Sequence, residues 1–176
     1  MTWLIVGLGN PGREYAGSRH NVGVDFVTSL KGKFPAQAKA AELNVYMNNS
    51  GGSIKKLVAS KKAAEKLVIV HDDLDLPLGT LKMSFGSGSG GHRGVESIIK
   101  ALKTKDFVRL RVGISPVTPG GKTKKPDSKR VVDFVLGQLR PPEREKLKKV
   151  KKRVAEAIEL LCEEGLARAM TEVNSK

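Results

Sequence analysis

The chain reads as an α/β domain, a twisted mixed sheet surrounded by helices, and three stretches carry that prediction. Trp3-Leu4-Ile5-Val6 is an apolar, partly β-branched run of strand type that stops at a turn dense in glycine. Behind that turn Val22, Phe26, Val27 and Leu30 recur at helical spacing. Leu67-Val68-Ile69-Val70 is continuously apolar, as expected of a strand covered on both faces. A strand feeding a turn and a helix sets polar side chains at the strand's carboxyl end, where open α/β sheets bind ligands. Asn10, Tyr15, His20 and Asn21 crowd that edge.

Composition narrows the possibilities. A chain of 176 residues suggests one domain spanning residues 1–176, large enough to bury a core without disulfides or metal. Its single cysteine, Cys162, can form no internal bridge, which suits a reducing compartment. No apolar run approaches the roughly 18 residues of a membrane span, and Met1 leads almost directly into the first strand, leaving no room for a signal peptide. Lys and Arg number 32 against 18 Asp and Glu, a net charge of +14. Such an excess serves solubility or a polyanionic partner held through phosphate contacts.

Taken in order, residues 31–42 read as helix end and connection, and residues 43–47 alternate as a short strand. Asn49, Ser50 and Ser53 are good N-cap types ahead of a helix carrying Ile54, Leu57 and Val58. The strand at residues 67–70 ends in His71-Asp72-Asp73-Leu74-Asp75, a carboxylate-rich strand end. Asp73 and Asp75 suit turn capping, and His71 reads as a packed histidine. Leu81 to Phe85 is a further strand. The loop from Gly86 to Gly94 then opens a helix with Val95, Ile98, Ile99 and Leu102 on one face. Residues 107–114 alternate as a strand that sets Arg109 and Arg111 on one face. A Pro/Gly/Lys-rich loop covers residues 118–129, where Lys122, Lys124, Lys125, Lys129 and Arg130 suit either a phosphate backbone or solvent. Pro141-Pro142-Glu143 opens the last long helix, with Leu147, Val150, Val154, Ile158 and Leu161 apolar and lysines opposite. Gly165 ends it, and a shorter segment follows. Cys162 belongs to this helix and reads as core.

Gly7-x-Gly9-x-x-Gly12 matches the dinucleotide fingerprint, but Pro11 sits where the helix should open and no acid-ended strand follows about 20 residues on. His20, His71 and His92 stand far apart with no metal-ligand spacing, so no metal or other cofactor is expected.

Leu4 to Gly23, with its run GNPGREY and RHNVG, strongly resembles the amino-terminal signature of the bacterial-type peptidyl-tRNA hydrolases. Further matches are Met47-Asn48-Asn49-Ser50-Gly51, the 71–79 segment, the Gly-Gly-His-Arg-Gly loop and the Arg-Leu-Arg-Val-Gly-Ile strand. The resemblance implies a monomeric, cytoplasmic, metal-independent esterase that frees tRNA from stalled peptides. An organellar setting is the alternative if a targeting segment is missing. It implies that Asn10, Tyr15 and His20 line the active site, with His20 as base and Asp72 as its carboxylate. Asn10 would orient His20 or the substrate's 3′ end, and Met47-Asn48 would face the peptide or the oxyanion. Arg109 and Arg111 would lie near the tRNA side.

Two departures stand out. The interval between His20 and Asn48 is short for the family and lacks a strand pair. Arg93 also replaces the family asparagine; a guanidinium accepts no hydrogen bond, so it would shift the site toward binding phosphate or carboxylate. These departures, with the +14 charge, leave a second reading: a relative kept as an RNA-binding factor, for example in intron splicing.

Overall fold

A computed structural model describes residues 2–176 around one five-stranded sheet in the order β2-β1-β3-β5-β4. β1 (Trp3–Gly7), β2 (Ala38–Ala41), β3 (Leu67–Pro77) and β5 (Val108–Ser115) run parallel, and β4 (Leu81–Phe85) lies antiparallel on the edge beside β5. The helices are α1 (Val22–Leu30), α2 (Ser50–Leu57), α3 (Lys61–Ala64), α4 (Arg93–Leu102), α5 (Val131–Leu136), α6 (Pro141–Glu164) and α7 (Leu166–Ser175). None among the described residues is long and apolar enough to cross a membrane.

Alternation along the central strands feeds two cores. Ile5, Val68 and Val70 face α1, α6 and α7, whereas Val6, Leu67 and Ile69 face α2 and α4. Residues Leu67 to Asp72 of β3 are buried without a break, which confirms the expectation of a strand covered on both faces. α1 presses directly on the sheet: a Cβ on Gly7 would lie 2.2 Å from the carbonyl oxygen of Gly23, and one on Gly23 2.1 Å from that of Val70. Gly7 and Gly23 are therefore used for backbone packing, and α1 opens only at Val22, well past Gly12, which disposes of the dinucleotide reading.

The expected strand at residues 43–47 is not formed. The strand is β2, four residues of Ala-Lys-Ala-Ala that pair with β1, while residues 43–46 run unpaired into a 3-10 turn at Met47–Asn49. Pairing to a neighbour decides this, and alternation alone cannot. α5 went unanticipated; it is a six-residue helix directly behind the lysine-rich loop. α6 and α7 meet at Gly165 as expected, where φ is 84°. The free edge of β4 is closed by Asn174 of α7, whose side chain accepts from Met83 N at 2.8 Å and donates to Met83 O at 2.9 Å.

Candidate active site

The carboxyl ends of β1 and β3 bring the predicted polar residues together. Asn21, at the end of the 3-10 turn Arg19–Asn21, clamps Asn10 with two bonds: its Oδ1 accepts from Asn10 N and its Nδ2 donates to Asn10 O, both at 2.9 Å. The Asn10 Oδ1 accepts from Met47 N at 2.7 Å, which anchors the Met47-Asn48 turn and leaves the Asn10 amide NH2 without a partner among the described residues. Asn10 is thus pinned at backbone and side chain alike.

His20 sits in the middle of the same 3-10 turn and donates from Nδ1 to both oxygens of Asp72, at 3.0 and 2.9 Å. Asp72 lies at the end of the buried half of β3 and is 2% exposed. A second imidazole shares it: His92 Nε2 lies 2.8 Å from Asp72 Oδ1. His92 is the N-cap of α4, and its Nδ1 accepts from Val95 N, so Nε2 carries the proton and is a donor. Burial alone would raise the carboxyl pKa, but His92 and His20 together hold it well below the usual carboxylate range. His20 is thereby fixed in the tautomer that leaves the Nε2 lone pair without a proton.

His71 completes a second layer. Its Nδ1 donates to the Asp72 carbonyl at 2.7 Å and its ring packs edge-on to His92 at 4.6 Å. Burial first, and then His92, lower its pKa well below the ordinary imidazole value, so it is neutral. Arg109, 4% exposed, lies 3.5 Å from His71 Nε2 and donates to Ser87 Oγ and Gly88 O at 2.6 and 2.7 Å. It is an internal prop for the glycine loop and not a surface contact for tRNA, which corrects the expectation for that residue. Arg111 is half-buried and donates to Asp73 Oδ2 at 2.7 Å.

Donor atoms of His20, Asp72 and His92 all lie within 4.8 Å of one another, so the metal question returns despite the sequence spacing. The tautomers answer it. A metal on His92 Nε2 would require a proton on Nδ1, facing the N–H of Val95. The set is built for two N–H···O bonds onto one carboxylate.

These groups open onto a cleft of about 540 Å³. Asn10, His20, Asn48, His92 and Arg93 supply its polar side, and Tyr46 with Val131, Val132, Val135 and Leu136 of α5 its apolar side. Met47 lines it as well and is otherwise buried. Arg93 is exposed and makes no hydrogen bond or ion pair among the described residues. Neither Arg109 nor Arg111 lines the cleft. Nor does Tyr15, which packs edge-on to Tyr46 from behind at 6.3 Å and so supports the wall. Sequence reasoning named His92 only when setting a metal site aside and within the Gly-Gly-His-Arg-Gly loop, and missed the α5 wall. The position of His92 at the mouth of a glycine loop opening a helix was the available signal.

Comparison with known proteins points to one family. Residues 4–176 match the family model described as peptidyl-tRNA hydrolase. A protein of that name from Herpetosiphon aurantiacus is 41% identical, covering 99% of this chain and 91% of the relative. One from Thermodesulfovibrio yellowstonii is 37% identical, covering 97% and 98%. The crystal structure of peptidyl-tRNA hydrolase from Acinetobacter baumannii superposes with a TM-score of 0.84 at 30% identity, covering 99% of this chain and 95% of that one. The first alignment spans 196 positions for a chain of 176 residues, so that relative carries residues this chain lacks.

Proposed function

Because the chain belongs to the peptidyl-tRNA hydrolase family, we propose that it hydrolyses the ester joining peptide to tRNA, with His20 as general base. The single observation that carries this is the His20 Nδ1–Asp72 pair at 2.9 Å, with Nε2 unengaged at the cleft. Nε2 takes a proton from a water as that water attacks the ester carbonyl, and the imidazolium returns it to the departing ribose oxygen. Asp72 stabilises the imidazolium and keeps its proton on Nδ1. The Asn10 amide, which has no partner among the described residues, and Asn48 donate toward the carbonyl oxygen as charge develops on it. Ser89 and Ser128 line the cleft, but among the described residues neither hydroxyl bonds an imidazole, so direct attack by water is favoured over an acyl-enzyme.

The apolar α5 wall suits the peptide. Arg93 donates to an anionic group of the substrate, and Lys122, Lys124, Lys125, Lys129 and Arg130 follow the tRNA phosphates of a cytoplasmic, monomeric enzyme. Retention of the complete His20–Asp72–His92 set disfavours a binding factor without chemistry. Release of labelled peptide from an N-acylated aminoacyl-tRNA tests the reading. His20→Ala should abolish turnover and leave the salt-dependent tRNA Kd within about threefold; turnover retained in this variant would refute the base. Asp72→Asn should lower kcat by about 10³-fold or more.

A further inference from the structure

The mechanism above makes no use of Arg19, the residue before His20, which is only 7% exposed. Its Nη2 donates to both carboxylate oxygens of Glu143 at 2.9 Å. Its Nη1 donates to the Phe134 carbonyl at 3.3 Å, and the guanidinium carbon lies 4.4 Å above the Phe134 ring. The backbones are joined too: Arg19 N donates to Gly137 O at 3.1 Å and Leu139 N to Gly17 O at 3.0 Å. Glu143 also accepts from Arg140 N at 2.6 Å, closing the first turn of α6. One buried cation thus ties the turn that carries His20 to the end of α5 and the start of α6. α5 in turn is the cleft's apolar wall.

We propose that Arg19 is a positioning residue for the hydrolysis: it holds His20 in line with Asp72 and at a set distance from the α5 wall. The proposal rests on His20 being the base. Simple stabilisation accounts poorly for the arrangement, because a withdrawn ion pair contributes little compared with apolar residues of the same volume, and its best-attested use is to set registry. The contacts also require arginine in particular. The flat guanidinium lies on the Phe134 ring while Nη2 reaches the carboxylate and Nη1 the carbonyl, and an ammonium, a single point of charge, cannot cover all three. Gly137 is matched to it, since a Cβ there would lie 2.9 Å from Nη1.

The test compares Arg19→Lys, Glu143→Gln and His20→Ala for kcat, KM, tRNA binding and folding by circular dichroism. Proton NMR adds a spectroscopic signature, the downfield Nδ1–H resonance of His20, identified by its loss in His20→Ala. Arg19→Lys should fold and bind tRNA while kcat falls about 10- to 100-fold with little change in KM, as for a displaced catalytic group. The His20 resonance should broaden or shift upfield, and Glu143→Gln should do the same to a smaller degree. Lower melting temperature with unchanged kcat and an unchanged resonance would overturn the proposal and make Arg19 merely structural. If Arg19→Lys fails to fold, Glu143→Gln decides by the same two readouts. Turnover retained in His20→Ala would instead overturn the base assignment, a separate outcome.

Discussion

The two glycine-rich turns of this chain have similar compositions and do opposite things. In the first, Gly7 at the end of β1 and Gly23 in α1 let backbone touch backbone: added Cβ atoms would meet carbonyl oxygens at 2.2 and 2.1 Å, and Gly12 between them holds φ at 108°. In the second, Gly86, Gly90 and Gly91 hold φ values of 64°, 60° and 83°, while Gly88 and Gly91 have nothing within 4 Å of an added Cβ. Gly7 and Gly23 give up side chains for close packing, whereas the second loop's glycines do so for backbone conformation. The difference suits what each delivers. Asn10 and His20 arrive on a platform wedged against the sheet. His92 and Arg93 arrive on an arch that is held from beneath by Arg109.

The largest effect expected from breaking that contrast is on stability. Gly23→Ala drives a methyl into the Val70 carbonyl, a backbone atom of the central strand that cannot yield without moving the sheet. It should cost at least about 3 kcal/mol, which for a chain of this size lowers Tm by upward of about 6 °C. Gly88→Ala, in open space and at an ordinary φ, should stay within about 0.5 kcal/mol of wild type. Thermal melts of the two variants side by side measure the contrast. Equal losses would mean that the two turns are built alike.

Much of the frame was legible, and its limits are physical. β1, β3, α1 and α6 were readable because each shows its periodicity or its lack of polar residues over a full element. β2 was placed wrongly, because Ala-Lys-Ala-Ala has no signature of its own and becomes a strand only by pairing with β1. α5 was invisible because six residues are too few to establish a period. In the site, the strand–turn–helix pattern set Asn10 and His20 at the sheet edge and Asp72 at a strand end, whereas their roles, and Asn48 as a site residue, came only from family resemblance. The convergence of His20, His71 and His92 on one aspartate is a property of the sheet edge, where three distant segments end. Alternation correctly put Arg109 and Arg111 on one face of β5, but it carries no information on which of the two the glycine loop covers.

That cover gives the next prediction. If the arch depends on Arg109 as the first turn depends on its wedge, Arg109→Gln should loosen residues 87–92 alone. The His92 amide, bonded to Ser89 O at 3.1 Å, should exchange faster with solvent. The Leu8 amide, bonded to Val70 O at 3.0 Å, should keep its protection. Turnover should fall about 10-fold through misplacement of His92. Unchanged exchange at His92 would show that the loop stands without its prop.

The smallest effect concerns His71, which lies between the two turns with Asp72, His92 and Arg109 around it. Its pKa is lowered in the fold, chiefly by burial. The unfolded chain therefore binds a proton at this residue before the folded one does, and stability is lost as pH falls through the unfolded value of about 6.5. Against a plateau near pH 7.5, the loss from this one group should reach about 0.8 kcal/mol at about pH 6. His71→Asn keeps a donor for the Asp72 carbonyl but cannot titrate, so its stability should change less over that interval, even if it starts lower. Urea unfolding of both proteins at the two pH values measures the difference. An equal loss in the variant would mean that the proton is taken up elsewhere, and that His71 is not the group through which acid loosens the joint between the turns.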